Sequence, residues 1–342
     1  MKVRSHLEVI ERGASPSVTV VGGGFSGVEL AAVVAERLGP RGSVRLVNPG
    51  REILPQADAG QREAAQRTLS GLGVAVVAGA RVVGIERGSS DQGKAPAKRV
   101  VKLLQDNSQQ DTAMETDLVL WTVGSVPAST AGGEAGSFRQ QPAFQMPFPT
   151  NARGATKTEP TLQVVSHSNV FALGDVSNVH VEAAIGADAH LPQTAQVAFQ
   201  QADYVAWNVW ASINGRPLLP FRYQHLGSMM SLGRTSGAVS LPIPVPPPVS
   251  SSLATSQLGK LLSDAGVQVS PSGLTLEGSL GGFVRRAAYW YRQPTGDHRN
   301  RVGVSWVSRL AKDAADSAGT AGVGSFLSLL QRVASSGQAP RS

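Results

Sequence analysis

The 342-residue chain has no cysteine. Disulfide staples, thiolate metal sites and any mechanism built on a redox-active Cys pair are therefore excluded. No stretch approaches the roughly 18 consecutive apolar residues of a bilayer-spanning helix. The six histidines (His6, His167, His180, His190, His225 and His298) show no metal-ligand spacing, and no metal site is expected. The opening residues MKVRSHLEVIERG are neither a signal peptide nor an Arg/Ser-rich, acid-poor transit peptide. Lys and Arg outnumber Asp and Glu by 31 to 24, a net charge of +7. These cations are scattered rather than clustered with aromatics, so nucleic acid is not an expected partner, while an anionic membrane surface or an organelle address stays open.

Against these absences stands one dense motif, VTVVGGGFSGVELAAVVAERL at residues 18–38. A β-branched run (Val18, Thr19, Val20, Val21) reads as a buried strand, and residues 28–38 read as a helix. Gly22, Gly24 and Gly27 fit G-x-G-x-x-G between the two. Gly22 permits the tight turn, Gly24 lets backbone approach a pyrophosphate, and Gly27 lets helix and strand pack closely. The helix N-terminus adds unpaired N–H groups and a positive dipole end. A second strand at 43–47 (SVRLV) completes a βαβ unit for a dinucleotide. The acid expected about 20 residues past the glycines, to bind the ribose hydroxyls, is absent. Asn48 ends the second strand instead. An Asn still hydrogen-bonds a ribose without repelling a 2′-phosphate, and Arg51, or Arg45, can pair with that phosphate. NADPH should be accepted at least as well as NADH.

Along the rest of the chain, residues 1–15 read as a short helical tail, too small for a domain. Residues 59–72 read as an exposed helix, residues 74–77, 81–86 and 99–104 as strands with a polar hairpin at 88–98, residues 106–115 as a polar loop, and 117–121 as a buried strand. The first block is thus a doubly wound α/β domain with an antiparallel insertion. Residues 131–158 are Gly-, Pro- and Gln-rich and read as loop. Short strands at 161–165 and 170–172 lead into Gly174-Asp175, and residues 192–213 form the longest helix, with Pro192 suited to its first turn. Residues 221–240 alternate enough for strands, and residues 241–273, containing IPVPPPVSSS, read as a flexible low-complexity insertion. Helices are expected at 282–292, 302–311 and 325–333.

Three blocks carry a family resemblance: VVGGGFSGVELA (20–31), LVLWTVGSVP (118–127) and VFALGDVS (170–177). In this order they resemble the two-dinucleotide flavoproteins, specifically the type II NAD(P)H:quinone oxidoreductases. LPQTAQVAFQQADYVAWNVW (191–210) with RPLLPFRYQHLGSMMSLG (216–233) is similar to the plastid-type branch of plants and algae. The likeness covers about residues 16–130 and 159–240, with a weaker tail at 274–312. It implies an α/β, Rossmann-like fold divided into a residual linker (1–15), an NAD(P)H-binding domain (16–130), a loop insertion (131–158), the C-terminal half of an FAD-binding domain (159–220) and a membrane- and quinone-associated region (221–342). Family members open with an FAD-binding βαβ bearing its own glycine motif. This chain has one such motif, so the expectation is a fragment lacking the first half of the FAD domain.

The resemblance further implies FAD and NAD(P)H as cofactors, with a hydride passing to the flavin and two electrons on to a quinone of phylloquinone or plastoquinone type. Gly22, Gly24 and Gly27 would hold the NAD(P)H pyrophosphate, Gly124 is a further cofactor contact, and Glu29 would sit near the nicotinamide–flavin contact. Read from the residues alone, Glu29 is an exposed carboxylate favoured by the helix dipole. Asp175, after Gly174, would accept a hydrogen bond from the ribitol. Thr194 and Ala195 would turn the long helix's N-terminus toward the flavin pyrimidine edge. Gln196 and Gln200 share a helix face, which by resemblance lines the quinone pocket and otherwise is polar surface. In the tail, Phe283, Val284, Ala287, Ala288 and Tyr291 mark one apolar face, and Phe326, Leu327, Leu330 and Val333 another. The resemblance assigns these to peripheral membrane contact in the chloroplast, or also the mitochondrion; a core-facing helix pair is the alternative. A homodimer stays open. Two rival readings are a soluble flavin reductase of the same fold and a nucleotide-binding remnant without catalysis. Disulfide reductases and sulfide:quinone reductases need cysteines that are not here.

Overall fold

The computed structural model describes residues 2–88, 98–105, 111–124, 146–152, 154–179, 191–271 and 273–318. The expected helix at 325–333, the turn of the 88–98 hairpin, most of the 131–158 loop and His180 and His190 lie outside these residues. The chain divides into two compact units, Met1–Thr122 with Gly227–Ser342, and Val123–Leu226.

The first unit begins with α1 (Lys2–Ile10). Residues 1–15 are more than a linker, because Leu7 and Ile10, one turn apart, are buried in the main core. The parallel sheet has the order β3-β2-β1-β7, from β1 (Ser17–Val21), β2 (Ser43–Asn48), β3 (Ala75–Ala78) and β7 (Leu118–Trp121). Val18, Thr19, Val20 and Val21 are all buried, as both faces of a central parallel strand must be. Between β1 and β2 runs α2 (Phe25–Leu38), which turns Val28, Ala31, Ala32, Ala35 and Leu38 into the core at helical spacing. Full burial of a Val or Leu side chain contributes roughly 1.5–3 kcal/mol before entropy is subtracted.

Between β2 and β3 lies α3 (Ala59–Gly71). It is not the exposed helix expected from its polar sequence. Gln61, Ala64, Ala65 and Leu69 are buried on one face, whose alanines are too small to register as an apolar stripe. An antiparallel meander follows, β4 (Ala80–Arg87), β5 (Arg99–Gln105) and β6 (Asp111–Thr116). Residues 111–115, the second half of the expected 106–115 loop, pair with β5 together with Thr116, from Arg99↔Thr116 to Leu104↔Asp111. Their polarity suits an edge strand.

The second unit carries β8 (Thr156–Thr158), β9 (Gln163–Val164), β10 (His167–Phe171) and β11 (Ser177–Val179) in the order β10-β9-β8-β11. A 3-10 turn, Gly174–Val176, precedes β11. The long helix α4 (Ala195–Ile213) is capped by Thr194, whose hydroxyl accepts from the Val197 N–H at 3.4 Å. Pro192 therefore stands before the helix rather than in its first turn, and its carbonyl accepts from the Thr194 N–H. Val197, Gln201, Asn208 and Ala211 form the buried face of α4, while Phe199, Trp207, Trp210 and Ile213 are exposed.

The C-terminal segment returns to the first unit. It holds β12 (Ser228–Ser231), β13 (Gly237–Leu241), α5 (Pro247–Thr255), α6 (Gln257–Asp264), β14 (Val267–Ser270), β15 (Gly273–Leu276), α7 (Gly278–Tyr291) and α8 (Gly296–Ala318). Residues 241–273 are thus two helices and a strand rather than a flexible insertion. Pro247 opens α5 at a position where a missing N–H costs nothing. Ser256 caps α6 by accepting from the Gly259 N–H at 3.0 Å, and β14 pairs with β15 across a tight hairpin. The antiparallel sheet β12-β13-β15-β14 lies against α3 and α7, and Met230, Leu232 and Ala238 join Val20, Val28 and Leu46 in one core.

Candidate functional site

The glycine turn is built as the motif requires. Gly22 closes β1 with φ +115, a left-handed conformation that favours glycine, and donates to the Val47 carbonyl at 2.8 Å. At Gly27 a Cβ would stand 1.8 Å from the Gly22 carbonyl oxygen and 2.9 Å from Thr122 Oγ1, so only glycine lets α2 lie this close to the turn. Gly24 is exposed, with nothing within 4 Å of where its Cβ would be. It is also the N-cap of α2 and offers no capping side chain. No side chain caps the first-turn N–H groups, and an uncapped helix start is the arrangement that receives an anion.

Asn48 does something other than expected. It is buried, its Oδ1 accepts from the Gly23 N–H at 3.1 Å, and its Nδ2 donates to the carbonyls of Gly50 at 2.9 Å and Glu52 at 2.8 Å. Both amide hydrogens are engaged inward, so the side chain braces the turn and has no donor left for a ribose. Gly23, which sequence reasoning passed over, fits against it; a Cβ there would meet Asn48 Cγ at 2.6 Å. Arg45 is also withdrawn, donating to the Glu115 carbonyl at 3.2 Å from mid-strand. Arg51 is exposed in the turn after β2. Gly124, just past β7, has φ +85 and open space around it.

Glu29, one turn into α2, is not a simple solvated carboxylate. Its Oε1 accepts from the Ser231 N–H at 2.7 Å and lies 4.0 Å from Arg285 Nη2. It ties α2 to the edge of the C-terminal sheet. Glu36, also on α2, accepts from the Arg234 N–H, and at the start of α3 Asp58 and Gln61 accept from Ser240 Oγ and Ser228 Oγ of the same C-terminal sheet. Gln61 also donates to the Ala238 carbonyl at 3.2 Å. On α7, Gly281 and Gly282 meet the backbone of 235–237. Phe283 and Tyr291 point outward, which removes the core-facing alternative for those two residues.

In the second unit, Gly174 takes φ +71 and donates to Gln201 Oε1 at 2.6 Å. Gln201 is buried on α4, so the helix itself holds the Gly174-Asp175 turn, leaving Asp175 exposed. Thr194 and Ala195 form the exposed start of that helix. Gln196 and Gln200 do share a face. Gln196 Oε1 accepts from Tyr223 Oη at 2.7 Å and the Leu226 N–H at 3.3 Å; Gln200 pairs with both the N–H and the carbonyl of Gln224 at 3.0 and 2.8 Å. Together they pin the segment after α4. Tyr223 also lies 3.2 Å from His225 Nδ1, and burial pushes its phenol above the ordinary value. Gln201, Asn208 and Tyr223 escaped sequence reasoning. The signal available was two amide residues on the otherwise apolar 197–211 stripe.

A family model described as pyridine nucleotide-disulphide oxidoreductase matches residues 3–202. The chain belongs to that family. These 342 residues contain no cysteine. The chain is 39% identical over 332 residues to the alternative NAD(P)H-ubiquinone oxidoreductase C1, chloroplastic/mitochondrial, of Arabidopsis thaliana, across 92% of this chain and 54% of that protein. It is 36% identical over 317 residues to demethylphylloquinone reductase NdbB of Synechocystis, across 91% and 63%. The chain thus spans between about half and two thirds of the length of these relatives. In fold it is similar to NDH2 from Plasmodium falciparum, solved in complex with NADH, with a TM-score of 0.61 at 14% identity over 90% of this chain and 70% of that one. The Rossmann-like α/β architecture expected from the glycine motif is the one found.

Proposed function

We propose that this chain is the NAD(P)H-binding and flavin-closing part of an FAD-dependent NAD(P)H:quinone oxidoreductase. It would pass a hydride from NAD(P)H to the flavin and two electrons onward to a membrane quinone of phylloquinone or plastoquinone type, without pumping protons. The observation that carries this reading is the uncapped start of α2 behind the open Gly24, locked by the Gly22–Gly27 contact. It is supported by the likeness to two proteins named as quinone reductases. The residues fit the cofactors. Gly22, Gly24 and Gly27 leave room for a pyrophosphate against the α2 N–H groups. Asp175 presents an exposed carboxylate from a turn held by Gln201, and Thr194-Ala195 start a helix whose dipole favours negative charge near them. FAD, when bound, supplies the two-electron relay; the protein binds and orients it. Gln196 and Gln200, through Tyr223 and Gln224, would shape the quinone-facing wall, and Glu29 would set how the C-terminal sheet meets the nucleotide helix.

A plastid location with contact at a membrane surface completes the reading. No helix among the described residues is long and apolar enough to cross a membrane. The α7–α8 surface instead shows exposed Phe283, Trp290 and Tyr291, with Arg299 over the Trp290 and Tyr291 rings at 5.9 and 5.6 Å. Such an aromatic–cationic surface suits the headgroup layer.

The test is absorbance of the chain purified with excess FAD, followed by NADPH and then a soluble quinone. Bound flavin that bleaches and reoxidises supports the full reading. Colourless protein that binds NADPH would reduce the chain to a nucleotide-binding remnant, and protein binding neither cofactor would end both readings.

A further inference from the structure

A backbone N–H can only donate, and at the start of α4 this fixes three side chains in turn. The Leu226 N–H points at the Gln196 amide, so the atom it meets at 3.3 Å is the oxygen, Oε1. Tyr223 Oη meets the same oxygen at 2.7 Å, so its hydrogen is spent there. The phenol then has only a lone pair for His225 Nδ1, 3.2 Å away, and the neutral imidazole carries its hydrogen on Nδ1. The donors run one way, from exposed His225 through half-buried Tyr223 into Gln196. The Tyr223 ring packs against the cluster of Leu162, Val179 and Phe221, which anchors the chain. With Oε1 claimed twice, Nε2 is the end of Gln196 turned to the other side. Gln200, one turn on, is committed to Gln224 as both acceptor and donor. Phe199 lies on the same side of the helix as these glutamines and is exposed. This stretch of α4 therefore sets an apolar ring beside an amide held in one of its two orientations.

We propose that Tyr223 and His225 are positioning residues that hold Gln196 as a hydrogen-bond donor, and that this orientation sets which redox form of the substrate is bound. A flat ring against Phe199 that carries a carbonyl oxygen satisfies the Gln196 N–H. The same ring carrying a hydroxyl presents a weaker acceptor and a hydrogen that Nε2 cannot receive. The site thus takes up quinone and releases quinol. The proposal rests on the reading of this helix face as a quinone wall and adds to it the direction of the amide. Its distinctive consequence concerns Gln196→Glu, which keeps the shape of the side chain and replaces the donor by an acceptor. That exchange inverts the preference.

The experiment is equilibrium dialysis of a short-chain benzoquinone, and separately of its quinol kept free of oxygen, against the full chain as wild type, Tyr223→Phe and Gln196→Glu. Wild type should bind the quinone about three- to tenfold more tightly, the size of one neutral hydrogen bond. Tyr223→Phe keeps the packed ring and leaves the amide on its longer bond to Leu226 alone, so the ratio should fall toward one. Gln196→Glu should bind the quinol better. Should a variant not fold, nitrogen NMR of wild-type His225, at a pH where the imidazole is neutral, supplies a decision of its own, with the Nδ1–H tautomer expected. Equal wild-type affinities, a ratio unmoved by Tyr223→Phe, a quinone-preferring Gln196→Glu or an Nε2–H tautomer in wild type would overturn the proposal while leaving the quinone wall intact. Binding of neither form would overturn both.

Discussion

The glycine turns at residues 22–27 and at 174–175 both follow a strand, the first leading into α2 and the second into β11, and they are held differently. The first is held from below by its own sheet. Gly22 donates to β2, Asn48 reaches up from the end of that strand, and Gly27 lets α2 rest on the Gly22 carbonyl. The second is held by side chains: buried Gln201, on the helix that comes after it, accepts from the Gly174 N–H, and Ser177 Oγ and Gln193 Nε2 donate to the Gly174 and Asp175 carbonyls. A turn built into a parallel sheet is supported by many weak, redundant contacts. A turn with one buried side-chain partner is the more sensitive to losing it. The two units should therefore respond very differently to small lesions.

The comparison breaks most sharply at Gly27. Gly27→Ala drives a methyl group to 1.8 Å from backbone, which only a displacement of α2 relieves. A loss of about 3 kcal/mol or more, read by urea denaturation, and abolished NADPH binding are expected. Gly24→Ala, in open space, should leave that stability intact while lowering NADPH affinity. Stability falling equally in both would show that the turn is not locked as described. Next in size is Gln201→Leu, which orphans the Gly174 N–H. About 1–3 kcal/mol should be lost from the second unit alone, visible as faster hydrogen exchange there with the first unit unchanged. The smallest effect concerns Tyr223. Burial raises its phenol above the usual value near 10. The unfolded phenol ionises first as pH climbs, so its contribution is present below about pH 10 and is lost as pH rises through the folded value. Tyr223→Phe should flatten the alkaline limb of the stability profile; an unaltered limb would mean the phenol does not titrate on unfolding.

Local features were legible in advance. The strand–glycine–helix motif, the parallel β2, the exit strand β7 and the long helix α4 all rest on short-range rules, whether period, turn chemistry or caps. Two kinds of feature were not. Partners far apart in sequence, such as Gln61 with Ala238 or Glu29 with Ser231, leave no local trace. This is why α3 read as exposed and residues 241–273 as unstructured. Side-chain direction is equally silent, so Asn48 at the strand end suggested a ribose ligand although its amide points inward. Gln201 and Asn208 occupy a middle ground, since polar residues on a buried stripe announce a bracing role without naming what they brace.

The first unit is assembled from two separated stretches, and this has a consequence for its synthesis. Gln61 must wait for Ala238, 177 residues later, before its amide is satisfied. At about 5–20 residues per second on the ribosome, that is roughly 10–35 s during which the α2–α3 face has no cover. Nascent chains ending before residue 227 would display Gln61 and the carboxylates of Glu29, Glu36 and Asp58 without their partners. The nucleotide-binding fold of this chain is thus finished last, by the segment farthest from its glycine turn, and chaperone engagement should be heaviest in that interval.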